Sequence, residues 1–110
     1  KSNNNNNNNN LMLIEERYEL FSSTINSHLS IAESQYGLSL WYYDKGLYKE
    51  SIRLCKESLA IRQERLGMTH YLTLLNKELL AQLYSSTQLY IESNNLYTEL
   101  LPVYKSIYPK

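Results

Sequence analysis

The stretch LSLWYYDKGLYKESIRLCKES, residues 38–58, constrains this chain most, because it recurs at a fixed distance. Shifted by 42 positions, Leu38 falls on Leu80, Tyr42 on Tyr84, Leu47 on Leu89, Tyr48 on Tyr90, Ser51 on Ser93 and Leu54 on Leu96. Ser39 falls on Ala81, small on small. A constant internal period in the range of about twenty to fifty residues marks stacked supersecondary units, each unable to bury its apolar face alone. The period therefore predicts an all-α array of antiparallel helical hairpins.

Apolar spacing places the helices. Leu11, Ile14, Tyr18, Phe21 and Ile25 are separated by three and four residues in alternation, which puts one stripe on a helix over 11–26. A break is expected at 26–30, where Ser30 and Glu33 have the form of a capping box. The next helix runs from Ile31 to about Tyr43, with Leu38, Trp41 and Tyr42 on its packing side, and turns at Asp44-Lys45-Gly46. Residues 47–66 return as a helix with the stripe Tyr48, Ile52, Cys55, Leu59 and Ile61 or Leu66, and Gly67-Met68-Thr69-His70 turns the chain again. A second hairpin follows over 71–85 and 89–108, with Pro102 expected to kink or break its last helix near Leu101. About five helices result, in repeats over about 32–66 and 74–108 of a helical domain spanning 11–110.

The eight consecutive asparagines before Leu11 bury nothing, so residues 1–10 are expected to be a disordered linker. Two repeats fall short of the roughly three that a stack usually needs, and the chain starts at Lys1 rather than Met, so it is expected to be a piece of something larger.

Composition narrows the function classes. Eleven basic and eleven acidic residues give no net charge, so no field gathers a phosphate backbone or an acidic membrane surface. A single cysteine permits no internal disulfide and no thiolate metal site, and fits a reducing compartment. No apolar run reaches the roughly twenty residues of a membrane helix. A cytoplasmic protein, with the nucleus as the other compartment, is expected, with no nucleic-acid or membrane partner.

No catalytic constellation is present: there is no nucleophile beside a base, no metal set and no phosphate loop, and no cofactor is expected in this chain. Cys55 occupies a buried stripe with no histidine within a turn and reads as inert core filler. His28 and His70 are placed in turns as exposed or capping residues, and Arg53, Lys56 and Arg62 on solvent faces beside Glu57 and Glu64, in pairs worth about 0.2 to 0.5 kcal/mol each. The functional candidates are residues of the first helix of each hairpin that would face a concave groove: Glu33, Tyr36, Leu40 and Tyr43, then Glu78, Gln82 and Ser85.

Leu38, Ser39, Tyr42, Gly46, Tyr48, Ser51, Cys55 and Ser58, with Leu80, Ala81, Tyr84, Gln88, Tyr90, Ser93, Tyr97 and Leu100 in the second copy, resemble the tetratricopeptide repeat. Small residues are needed there because paired helices approach to about 8 to 10 Å. Gln35 and Lys77 at the aromatic position, Gln88 for glycine and Leu100 for a small residue depart from the pattern. The 42-residue spacing and the Leu66-Gly67-x-x-His70 turn look like the longer repeats of kinesin light chains and related scaffolds. The resemblance implies binding of protein or peptide segments in the groove. It does not extend to a carboxylate clamp, because Tyr36, Leu40, Glu78 and Gln82 put no cation where that clamp has one.

From Leu79 onward the chain also resembles the C-terminal helical domain of SET and MYND protein-lysine methyltransferases. The similarity rests on Pro102, Tyr104, Lys105, Tyr108 and Pro109 in LPVYKSIYPK. That family continues with a His-Pro and another hairpin, which are missing here. This likeness implies a lid beside a catalytic domain that transfers a methyl group from S-adenosylmethionine to lysine, with that domain as the partner. A stand-alone adaptor scaffold is the competing expectation.

Overall fold

A computed structural model describes residues 2–107 of the chain, with side chains from Asn9 onward, and shows four helices among them: α1 (Ser2–Asp44), α2 (Tyr48–Leu66), α3 (Tyr71–Ser86) and α4 (Tyr90–Ile107). Lys1, Tyr108, Pro109 and Lys110 lie outside the described residues. Consecutive helices pack against each other, and α1 also meets α3, so the chain is a two-hairpin stack.

The period survives as geometry. Gly46, at φ 76°, and Gln88, at φ 66°, both take the left-handed conformation that closes the hairpin. The amide of Gly46 donates to Tyr43 O at 3.0 Å and that of Leu47 to Tyr42 O at 2.9 Å; Gln88 and Leu89 donate to Ser85 O and Tyr84 O at 3.1 and 2.7 Å. A left-handed turn returns the chain antiparallel in both copies, whether or not glycine makes it easy.

Within each hairpin, small residues let the helices touch. Ser51 Oγ donates to Ser39 O at 2.6 Å, and Ser39 Oγ to Ser51 O at 2.8 Å. In the second repeat Ser93 Oγ donates to Ala81 O at 2.8 Å. Ser58 Oγ reaches Ala32 O at 2.6 Å, and the same two positions one period on hold Leu74 and Leu100, both 2 % exposed. Leu100 thus has a second enlarged residue at the position equivalent to its partner in the first repeat, and both are buried. The departures Gln35 and Lys77 also correspond: Gln35 Nε2 donates to Glu57 at 3.2 Å, and Lys77 Nζ pairs with Glu99. Each reaches from the first helix of its hairpin to a glutamate on the second.

Between the hairpins, Cys55, Leu79, Leu80 and Leu83 form the core, flanked by Tyr36, Tyr43, Tyr48, Ile52, Leu59, Tyr84 and Leu96. Burial pushes the Cys55 thiol up to about 12, and its Sγ donates to Asn76 O at 3.2 Å. It is protonated filler.

Several expectations are corrected. Among the described residues there are four helices rather than five, because α1 runs unbroken through 26–30. No capping box forms at Ser30 and Glu33, since amides inside a continuous helix already have carbonyl partners. α1 starts at Ser2, and on an existing helix each further residue needs no new nucleus. α4 continues through Pro102. Pro102 and Thr98, whose carbonyl loses its amide partner, both lie on the exposed side, where that carbonyl is open to solvent. Trp41 and Leu38 are 52 % and 49 % exposed rather than packed, and the whole stripe from Leu11 to Ile25 is open, because among the described residues no second helix lies against that side of α1. This overhang gives a radius of gyration of 19.8 Å, against roughly 13 Å for a compact domain of about 100 residues. No helix among the described residues is long and apolar enough to cross a membrane.

Candidate functional site: the face shared by α1 and α3

The first helices of the two hairpins, the second half of α1 and all of α3, present one face together. A cleft of about 640 Å³ opens between the two, lined by Leu29, Ser30, Glu33 and Tyr36 of α1, Arg62 and Leu66 of α2, and His70 and Leu72 at the start of α3. It exists because α2 ends and α3 begins there, with Gly67 at φ 99° turning the chain and the His70 ring accepting the Leu72 amide at 3.1 Å. The histidine thus caps α3, as the sequence suggested. His28 instead sits inside α1, its Nδ1 2.8 Å from Arg65 Nη2, because the turn expected around it is helix.

At the floor of the cleft is a residue that sequence reasoning placed on a solvent face. Arg62 is 3 % exposed; its Nη1 donates to Asn76 Oδ1 at 2.7 Å, and its guanidinium lies over the Tyr36 ring at 4.9 Å. Burial draws Arg62 below its ordinary pKa, while Tyr36 and Glu33 pull it back up. Burial also raises the Tyr36 hydroxyl, with the Cys55 thiol adding to the effect. Among the described residues Arg62 makes no ion pair, whereas Arg53 pairs with Glu57 at 3.0 Å on the surface as expected. Aliphatic periodicity gave no signal for it, because a long cation lying along an apolar seam resembles an exposed one in a helical wheel.

One period later the same two positions hold Tyr104 and Glu78, and the Tyr104 hydroxyl donates to the Glu78 carboxylate. A second, smaller hollow of about 350 Å³ lies there between Glu78, Tyr97, Leu100, Leu101 and Tyr104.

The seven predicted groove residues divide. Glu33, Leu40, Gln82 and Ser85 are exposed, and Tyr36 and Glu78 are half-buried with the partners just described. Tyr43 packs its ring on Tyr48, centroids 5.8 Å apart, against the core. Glu33 and Tyr36 share the 640 Å³ cleft, while Glu78 borders the smaller hollow. Arg62, Asn76, Leu72 and Tyr104 complete the surroundings and were absent from that set. No group of three potential metal ligands occurs among the described residues.

A face built this way, from the first helices of stacked hairpins joined by left-handed turns, defines a helical-repeat protein of the interaction type. The tetratricopeptide repeat family matches residues 30–106, most of the described length, and the chain belongs to that family. No curated protein matches the chain in sequence. Tetratricopeptide repeats are protein–protein interaction modules, and that is the class of this chain.

Proposed function

We propose that the α1–α3 face binds an extended peptide segment of a partner protein, with Glu33, Tyr36, Leu40, Glu78, Gln82 and Ser85 as contact residues and Tyr43 fixing the helix behind them. The observation that carries this is the open 640 Å³ cleft at the head of that face, which combines apolar walls, Leu29, Leu66 and Leu72, with convergent polar groups, Glu33, Tyr36 and His70. Peptides selected from a random library on the immobilised chain test it. Binding is expected to fall at least tenfold with Tyr36→Ala or Gln82→Lys and to be unchanged by Asn95→Lys on exposed α4. Selected peptides indifferent to both groove substitutions refute the site.

The proposal extends to the parent protein. The LPVYKSIYPK segment supports placement as the lid of a SET and MYND lysine methyltransferase, in which the face meets the enzyme's own catalytic domain or its substrates. The 42-residue period and the Leu66-Gly67-x-x-His70 turn support an adaptor scaffold of the kinesin-light-chain type instead. Reading the coding sequence on either side of residues 1–110 separates them. A SET domain with zinc-binding cysteines upstream establishes the lid, and further repeats without one establish the scaffold. A cytoplasmic or nuclear location goes with either reading.

A further inference from the structure

The two repeats fill one pair of positions with opposite chemistry. In the first, α1 supplies Tyr36 and α2 supplies Arg62, whose guanidinium lies 4.9 Å from the ring centre, with the Glu33 carboxylate near enough to favour its charge. One period on, α3 puts Glu78 at the place of Tyr36 and α4 puts Tyr104 at the place of Arg62, and the Tyr104 hydroxyl donates to the Glu78 carboxylate. The first repeat therefore gathers a ring, a carboxylate and a cation. The second has the ring and the carboxylate beside an open hollow.

That hollow, of about 350 Å³, has Leu100 at 2 % exposure, Tyr97 at 41 % and Leu101 at 55 % around Glu78 and Tyr104. Among the described residues the ion pairs are Arg53 with Glu57 and Lys77 with Glu99, so Glu78 belongs to none. Lys77 is the only basic residue of α3 and is 5 % exposed, and residues 31–44 of α1 contain no lysine or arginine. The α1–α3 face thus turns carboxylates, not cations, to water.

Charge decides what the hollow accepts. Tyr97 and Tyr104 correspond to Cys55 and Arg62, which bond to Asn76 of α3 in the first repeat, while among the described residues no helix follows α4 to cover them. An apolar occupant would strip water from Glu78 and leave the carboxylate only a neutral hydroxyl donor. A cation compensates the charge and also gains the tyrosine faces. Arginine suits both contacts, because its planar fork bonds a carboxylate while its face lies on a ring, as that of Arg62 lies on Tyr36.

We propose that this hollow is the pocket for an arginine side chain of the partner peptide, held by the Glu78 carboxylate and by the rings of Tyr97 and Tyr104. The inference rests on the peptide reading of the α1–α3 face and names the residue that the peptide carries.

Peptides selected from the random library on the immobilised chain are expected to share one arginine position. Replacing that arginine by glutamine in the synthetic peptide should weaken binding about tenfold or more, read by titration calorimetry. Glu78→Gln keeps an acceptor for the Tyr104 hydroxyl and removes the charge. It should weaken the arginine peptide by a similar factor and leave the glutamine peptide unaffected, with helical dichroism unchanged. Tyr97→Leu, at an exposed site, should weaken the arginine peptide about two- to fivefold. A shared leucine or phenylalanine in place of arginine, or peptides that lose affinity with Tyr36→Ala but not with Glu78→Gln, would overturn the arginine pocket and leave the groove standing. Peptides indifferent to Tyr36→Ala, or a library that yields none, would overturn the groove and this inference with it.

Discussion

Replacing Gln88 by glycine should make this protein more stable, although it removes all five heavy atoms of the side chain and changes no buried contact. Gln88 is exposed and stands at φ 66°, the only non-glycine at positive φ among the described residues, in the same turn that Gly46 makes at φ 76°. The left-handed conformation costs an L-residue about 1 to 2 kcal/mol. Glycine escapes that cost but loses more backbone entropy on folding, about 0.5 to 1 kcal/mol. The balance is a gain of about 0.5 to 1 kcal/mol, or roughly 3 to 6 °C in melting temperature for a domain of this size. Urea unfolding followed by helical dichroism should show the midpoint rising with an unchanged slope. Asparagine, which tolerates this conformation better than glutamine, should fall between the two. Gly46→Gln should lose a similar amount, since a Cβ there meets nothing and only the backbone changes. A Gln88→Gly midpoint at or below that of the parent chain would refute the assignment of strain to this turn.

Other substitutions separate buried from surface chemistry. Arg62→Met, which leaves Asn76 Oδ1 without its donor, should cost about 1 to 3 kcal/mol, whereas Arg53→Met at the exposed pair should stay within about 0.5 kcal/mol, both read from urea midpoints. Ser51→Ala and Ser93→Ala should each cost about 1 kcal/mol, because each removes one donor to the facing helix, and a much larger loss in one would show that the two repeats are not equivalent there. Leu100→Ser, which restores the residue of the first repeat, should cost about 2 to 5 kcal/mol, since it empties a site that is 2 % exposed. Cys55 has a folded pKa raised from 9.0 to about 12, so the stability from keeping its thiol neutral is present below pH 9 and is lost as pH rises from 9 toward 12. The unfolding midpoint of Cys55→Ala should therefore fall less steeply over that interval than that of the parent chain, by up to about 1.4 kcal/mol per pH unit.

The repeat, the hairpin turns and the pairing of small residues could be read from the chain because each depends on local spacing. A 42-residue shift aligns Leu38 with Leu80 whatever the surroundings, and Gly46 and Gly67 mark turns by their own backbone freedom. The seven groove residues could be placed on helix faces by the same periodicity. The floor beneath them could not, because it is set by Arg62 and Asn76, whose meeting depends on how α2 leans on α3. Likewise, Gln35 and Lys77 looked like defects until the structure showed each reaching a glutamate one helix away.

The amino-acid sequence by itself determined the class of fold, the number of hairpins and the registration of one repeat on the next, since these follow from side-chain periodicity and turn chemistry within a few residues. Tertiary structure alone decided whether residues 22–30 form a turn or a helix. Serine, asparagine and histidine there permit both, and with no helix among the described residues packed beside Leu11 to Ile25 or Trp41, no burial competes with the continuous helix. Local propensities differ by a few tenths of a kcal/mol per residue, too little to decide, while burying or exposing those large side chains changes the balance by about 1.5 to 3 kcal/mol each.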